Sequence, residues 1–168
     1  NEWNYIRGWL DEEWKYSLRS EKGLKGSSFV AAVMCEGQAS PLDMLMYYDA
    51  RPCGMNGIFH TDTFEPLKTY YVIKAFSKLY ELGSSVEVSV EENAYACAAV
   101  GEGEAAILIT HYHDNDDTRE ELFKVEMDGF TGEGGVRAEI FIVDEKNDLT
   151  LIKEEYFSGE KYSLFFLY

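Results

Sequence analysis

Asn1-Glu2-Trp3-Asn4-Tyr5 and the run Leu42-Asp43-Met44-Leu45-Met46-Tyr47-Tyr48 decide how this chain is read. The second stretch is almost continuously apolar, the pattern of a parallel strand covered on both faces. Helical periodicity brackets it. Ser27 or Ser28 is placed to cap a helix running to about Gln38, with Phe29, Val30, Val33, Met34 and Gly37 on one face. A second helix is expected to start between Thr63 and Pro66 and to bury Val72, Ala75, Phe76, Leu79 and Leu82. Gly83 suits its C′ position. Residues 1–22, rich in Trp, Tyr and charge, read as a long loop. A strand end, a helix, a parallel-type strand and a helix, in that order, form the last quarter of a (β/α)8 barrel. Folds of that kind keep catalytic groups at the C-terminal ends of their strands, and Glu2 stands at such an end.

Beyond Gly83 the period changes to two. Strands are expected near 86–90, 94–100, 104–113, 121–127, 136–143, 149–156 and 161–167. Asn93 and Gly101-Glu102-Gly103 mark tight turns, and 114–118, 129–135 and 144–148 are hairpin loops. One strand face is apolar and the other mixed, which a two-layer sandwich satisfies. The expected fold is therefore α+β: the last strand and helices of a (β/α)8 barrel over 1–83, followed by an antiparallel β-sandwich over 84–168.

Composition limits the partners. The chain has 168 residues, 46% of them hydrophobic, enough for a sizeable core. Fifteen basic against 31 acidic residues give a net charge of −16, so neither nucleic acid nor an anionic membrane surface is an expected partner. No stretch approaches the length of a membrane span. Neutral carbohydrate is compatible with this charge, and 12 Tyr with 3 Trp suit a sugar-handling protein as well as an ordinary core. Cys35, Cys53 and Cys97 are sparse and odd in number, which argues against a disulfide framework or a structural zinc and favours a cytoplasmic setting. The compartment itself is left open, because a chain truncated at its start would lack any leader.

Retaining glycosidases need two carboxyl groups about 5–5.5 Å apart, one attacking the anomeric carbon and one shuttling a proton. A donor on strand four of a barrel would be followed by four more strand–helix units. One strand and two helices follow Glu2 before the alternating half begins, so Glu2 belongs to strand seven and takes the role of nucleophile.

The opening NEWNY resembles the nucleophile segment of clan A glycoside hydrolases. PLDMLMYYDARP, Pro41 to Pro52, resembles their strand eight, and EPLKTYYVIKAFSKLYELG, Glu65 to Gly83, their final barrel helix. The resemblance covers roughly residues 1–115 and is nearest to family 39, the β-xylosidase and iduronidase family, with the family 51 arabinofuranosidases as rival. It implies that Glu2 is catalytic and that Trp3, Asn4, Tyr48, Asp49 and Arg51 contact the sugar. Tyr47 stands at the same strand end, and Phe59 with His60 at its rim. Against this stands a plain structural role: Tyr48 as core, and Asp49 with Arg51 as an ion pair orienting a loop.

The chain departs from that pattern in one respect. The Asn-Glu-Pro type motif of the acid/base is absent, so the chain reads as the C-terminal fragment of a retaining glycosidase and is expected to be inactive alone. No cofactor is expected. His111, His113, Asp114, Asp116 and Asp117 are read as a solvated hairpin end rather than a metal site, since the Asp run lacks the Gly and distant Glu of a calcium loop. Glu102-Gly103-Glu104 and Gly132-Glu133-Gly134-Gly135 are turn chemistry. The alternative to a glycosidase fragment is a freestanding sandwich that binds carbohydrate or protein through exposed Tyr95, Tyr112, Tyr156 and Tyr162. Barrel segments without the rest of a barrel would leave apolar faces uncovered, so a homodimer through residues 1–60 is also expected.

Overall fold

A computed structural model describes residues 2–54, 56–90, 94–116, 122–129 and 134–167. Asn1, Asn93, Asp117 and the 130–133 stretch of the expected turns lie outside them. The elements run β1 (Glu2–Trp3), α1 (Asp11–Glu21), α2 (Leu24–Gln38), β2 (Met46–Tyr47), α3 (Lys68–Leu82), β3 (Ser84–Val86), β4 (Ala94–Gly101), β5 (Glu104–His111), β6 (Leu122–Asp128), β7 (Val136–Val143), β8 (Asp148–Phe157) and β9 (Lys161–Leu167). It is a mixed α/β fold whose second half is antiparallel. The chain forms two compact units: residues 1–113 with 143–149, and residues 114–142 with 150–168. The change of period at Gly83 falls inside the first.

In the first unit, β1 pairs parallel to β2 with Glu2 opposite Met46 and Trp3 opposite Tyr47. Behind this pair lies the helical layer. Val30 and Ala31 of α2 and Val72 of α3 form one buried cluster, and Trp3, Tyr47, Phe29 and Ile73 pack on it. Each of the two valines contributes roughly 1.5–3 kcal/mol on leaving water. On the other side of the helices the antiparallel sheet β3-β4-β5 is applied directly, through Cys35 of α2, Leu79 of α3 and Cys97 and Ala99 of β4. These first strands of the alternating half thus use their apolar face on helices. The small side chains of Cys97 and Ala99 on that face let β4 approach them.

The second unit carries the antiparallel pair β6-β9 and most of the pair β7-β8, whose strands are joined by the short connection 144–147. The β6-β9 pairing brings together segments that the chain order keeps apart.

Four local expectations are corrected. Residues 11–21 are helix, not loop: Asp11, Glu12 and Glu13 sit in the first turn, where the helix dipole favours acids. The helix α2 begins at Leu24 after Gly23, because the Ser27 and Ser28 hydroxyls donate back to the Leu24 and Lys25 carbonyls, 2.8 and 3.0 Å, inside the helix rather than capping it. The strand expected over 42–48 shrinks to Met46–Tyr47, and Leu42, Met44 and Met46 are more than half exposed, because helices cover one face only. The helix α3 starts at Lys68: the Leu67 amide donates to the Ile58 carbonyl and the His60 amide to the Glu65 carbonyl, which folds 58–67 into a tight loop first. Its end is as expected, with Gly83 left-handed at φ 90°.

The elbow between α1 and α2 depends on a glycine. A Cβ on Gly26 would stand 2.5 Å from the Glu21 Cα and closer still to its carbonyl oxygen, both backbone atoms that cannot rotate away. Gly26→Ala is expected to lower stability by about 1–2 kcal/mol, the overpacking cost less the helix propensity that alanine restores. Chemical denaturation of the two forms checks this; an unchanged or raised midpoint would show that the two helices separate freely.

Candidate functional site

The parallel register sets which side chains share a face. Trp3 and Tyr47 are opposite one another and both turn to the helices, their rings edge to face at 5.3 Å. Trp3 also lies 6.3 Å from Phe29, and its indole Nε1 is buried without a partner. Alternation along a strand then directs Glu2 and Met46 to the opposite, open face; both are exposed.

Two hydrogen bonds extend the pairing beyond the strands. The Tyr48 amide donates to the Trp3 carbonyl at 2.9 Å, and Asn4 Nδ2 donates to the Tyr48 carbonyl at 2.8 Å. Asn4 is thereby a clamp between the two strand ends. Tyr5 is buried edge to face against Phe29 and anchors the start of the following loop. The peptide between Tyr48 and Asp49 is cis.

Asp49 is buried and accepts twice from one residue: from the Arg51 amide at 2.9 Å and from Arg51 Nε at 2.6 Å. Arg51 Nη2 in turn donates to the Tyr48 hydroxyl at 3.0 Å, with the guanidinium 5.6 Å from the Tyr48 ring centre. The carboxylate of Asp49 pushes the guanidinium pKa further up, so Arg51 is a fixed cation. Asp49 therefore holds Arg51, and Arg51 holds Tyr48. The expected residues thus fall into one connected group at the ends of β1 and β2. Glu2 stands on the open face, Trp3 lies in the core, Asn4 is a clamp, and Tyr48, Asp49 and Arg51 form a linked triad. Phe59 packs 5.5 Å from Tyr70, while His60 accepts at Nδ1 from the Asp62 and Thr63 amides and shapes its own turn.

Sequence reasoning missed Glu21. At the end of α1 its carboxyl is 1% exposed, with Oε2 lacking any partner and Oε1 3.5 Å from the Tyr47 hydroxyl. Burial pushes its pKa up to about 7, against the moderating Gly57 amide and Lys22 charge. The same burial, with Glu21 beside it, raises the Tyr47 phenol. Asn56 and Thr69 are buried too, each with an unpartnered side-chain oxygen. The signal was present: Trp14, Ser17, Leu18 and Glu21 recur at helical spacing behind three acids.

His111 and His113 lie ring to ring at 4.5 Å. Among the described residues no three His, Cys, Asp or Glu side chains are grouped to hold a metal. The four tyrosines of the binding-module alternative differ in exposure. Tyr162 is buried and stacked on Phe157, Tyr112 packs on Phe29, Tyr95 is half-buried against the helices, and Tyr156 alone of the four is fully exposed.

No family model and no curated protein matches the sequence. Among solved structures, a glycoside hydrolase family 30 endoxylanase from Clostridium papyrosolvens C71 matches with a TM-score of 0.67 at 13% identity, over 99% of this chain and 38% of that one. A family 30 subfamily 8 xylanase from Clostridium acetobutylicum matches with a TM-score of 0.66, again at 13% identity, over 86% of this chain and 36% of that one. The chain thus spans under two fifths of the length of the structures it resembles. At this identity the likeness is one of fold. It lies with family 30 of clan A, not specifically with family 39 or 51 as the sequence resemblance had it.

Proposed function

We propose that this chain forms the closing part of a clan A retaining glycoside hydrolase acting on a β-linked polysaccharide backbone of the xylan type. In this reading β1 and β2 are the last two strands of a (β/α)8 barrel, Glu2 is the nucleophile, and the acid/base carboxyl comes from a part of the protein beyond these residues. The finer placement in family 39 or 51 rests on the sequence resemblance alone, and the fold likeness favours family 30.

One observation carries the reading: Glu2 stands in the two-residue strand β1, paired parallel to β2, and by alternation with Trp3 points away from the helical layer. In a barrel that direction is the interior, where inward side chains at strand ends meet the substrate. The fold likeness to xylanases supports it and supplies the substrate class. Tyr48 and Arg51 become the groups nearest the sugar, with Trp3, Asn4 and Asp49 holding the strand ends and the triad in place. In the reaction the Glu2 carboxylate attacks the anomeric carbon as the glycosidic bond breaks. The leaving oxygen takes a proton from the acid/base, which then activates water to release the sugar from Glu2.

The test uses the protein encoded by the whole reading frame. A 2-deoxy-2-fluoro-xylobioside with a good leaving group stalls at the covalent stage, so the expected result is one label on the peptide carrying Glu2, seen by mass spectrometry. The chain of residues 1–168 alone stays unlabelled and inactive. A label on another carboxylate, or none in a full-length protein that does cleave xylan, overturns the assignment of Glu2.

A further inference from the structure

The core between α2 and β4 holds two thiols that nothing in the proposed chemistry uses. Cys35 and Cys97 are 62 residues apart in sequence, yet their sulfurs lie 3.4 Å apart. Both are buried, at 4% and 6% exposure, inside one compact unit. The contact is an S–H···S hydrogen bond. The hydrogen bond with the Cys97 sulfur, and then burial, push the Cys35 thiol up, so it rests protonated.

We propose that Cys35 and Cys97 are a disulfide-forming site, which a low-molecular-weight disulfide such as oxidised glutathione closes as the chain folds. The sulfurs must approach by about 1.4 Å to reach the bond length of a disulfide. On the helix-facing side of β4, Cys97 has the small Ala99 beside it and Leu108 of β5 opposite it, so a short shift of α2 toward β4 at Ala99 brings the sulfurs together. Because the fold brings the two sulfurs together, folding stabilises the closed bond over a mixed disulfide at equilibrium.

The step balances. One thiolate attacks oxidised glutathione, forming a mixed disulfide and releasing one reduced glutathione. The second thiol, losing its proton to solvent, displaces the other glutathione to give Cys35–Cys97. Two thiols are oxidised and one glutathione disulfide is reduced. Because both sulfurs are buried, the exchange proceeds while the chain is open, not on the finished fold. The bond would tie α2, which backs Trp3 and Tyr47 through Phe29, Val30 and Met34, to the sheet behind it.

Refolding the full chain in a glutathione buffer, followed by alkylation in denaturant and peptide mass spectrometry, tests this. Expected are a single alkylated cysteine, Cys53, a linked peptide pair carrying Cys35 and Cys97, and a mass lower by two hydrogens. The thermal midpoint should rise by several degrees and return on treatment with dithiothreitol, since closing so long a loop restrains the unfolded chain most. Cys53→Ser should keep the link, and Cys35→Ala or Cys97→Ala should leave the remaining two thiols alkylatable. As a second reading, the never-unfolded chain held with oxidised glutathione should close only slowly. Three alkylated cysteines at every glutathione ratio, a link to Cys53, or stable glutathione adducts on Cys35 or Cys97 would each overturn the proposal.

Discussion

Replacing Glu2 by alanine in the full-length protein is expected to abolish xylan cleavage and to leave a site that azide can rescue. A carboxylate that forms the covalent intermediate supplies attack and charge stabilisation together, so its loss costs about 10⁴-fold or more in turnover. Removing the side chain opens a space on the same face of the sugar. Azide entering there forms a C–N bond to the anomeric carbon while the acid/base still protonates the leaving oxygen. The product is a glycosyl azide of inverted configuration. A group that merely positioned substrate would show neither the rescue nor that stereochemistry. The measurement is turnover of an activated aryl xyloside with and without azide, with the product configuration read by NMR. Free hydrolysis at an undiminished rate would remove Glu2 from the chemistry. Asp49→Asn, by contrast, would act through Arg51 and Tyr48 and would not respond to azide.

The second large effect concerns stability and pH. In the folded chain the Glu21 carboxyl titrates at about 7 instead of 4.5, chiefly because it is buried. Below about pH 4.5 it is protonated in both folded and unfolded chains, and no penalty arises. Between these values the unfolded chain gives up the proton while the folded chain keeps it, so stability falls as pH rises. Above about 7 both forms are ionised and the loss is complete, about 3 kcal/mol from the separation of the two pKa values. Tyr47, Asp49 and Lys22 are the titratable groups facing it, and Lys22 tempers the effect. Glu21→Gln keeps the shape and an acceptor for the Gly57 amide and removes the charge. It is expected to raise the thermal midpoint by roughly 5–10 °C at pH 8 and to leave it nearly unchanged at pH 4.5. Calorimetry at the two pH values decides; an equal shift at both would mean packing, not ionisation, is responsible.

Much of the element order was legible because it depends on local patterns. The β7 and β9 boundaries at Val136–Val143 and Lys161–Leu167 follow from alternation, and the stop of α3 at Gly83 from the left-handed conformation that glycine tolerates. The start of α2 was misplaced because serine near a helix end can cap or bond backward, and only the surrounding loop decides between them. The apolar run at 42–48 read as a strand covered on both faces, since sequence reports apolarity and not what lies opposite.

The sequence by itself indicated the order helix, parallel-type strand, helix, and that an alternating half follows. Only the tertiary structure decided that Glu2 faces away from the helices while Trp3 faces them, and that the first antiparallel strands cover helices. The Glu21 carboxyl among Tyr47, Asp49 and Lys22, and the Cys35–Cys97 contact, were likewise settled only in three dimensions. The physical reason is range: capping, turn chemistry and periodicity act within a few residues. Burial, by contrast, is set by contacts between segments tens of residues apart, and no local pattern encodes which of them meet.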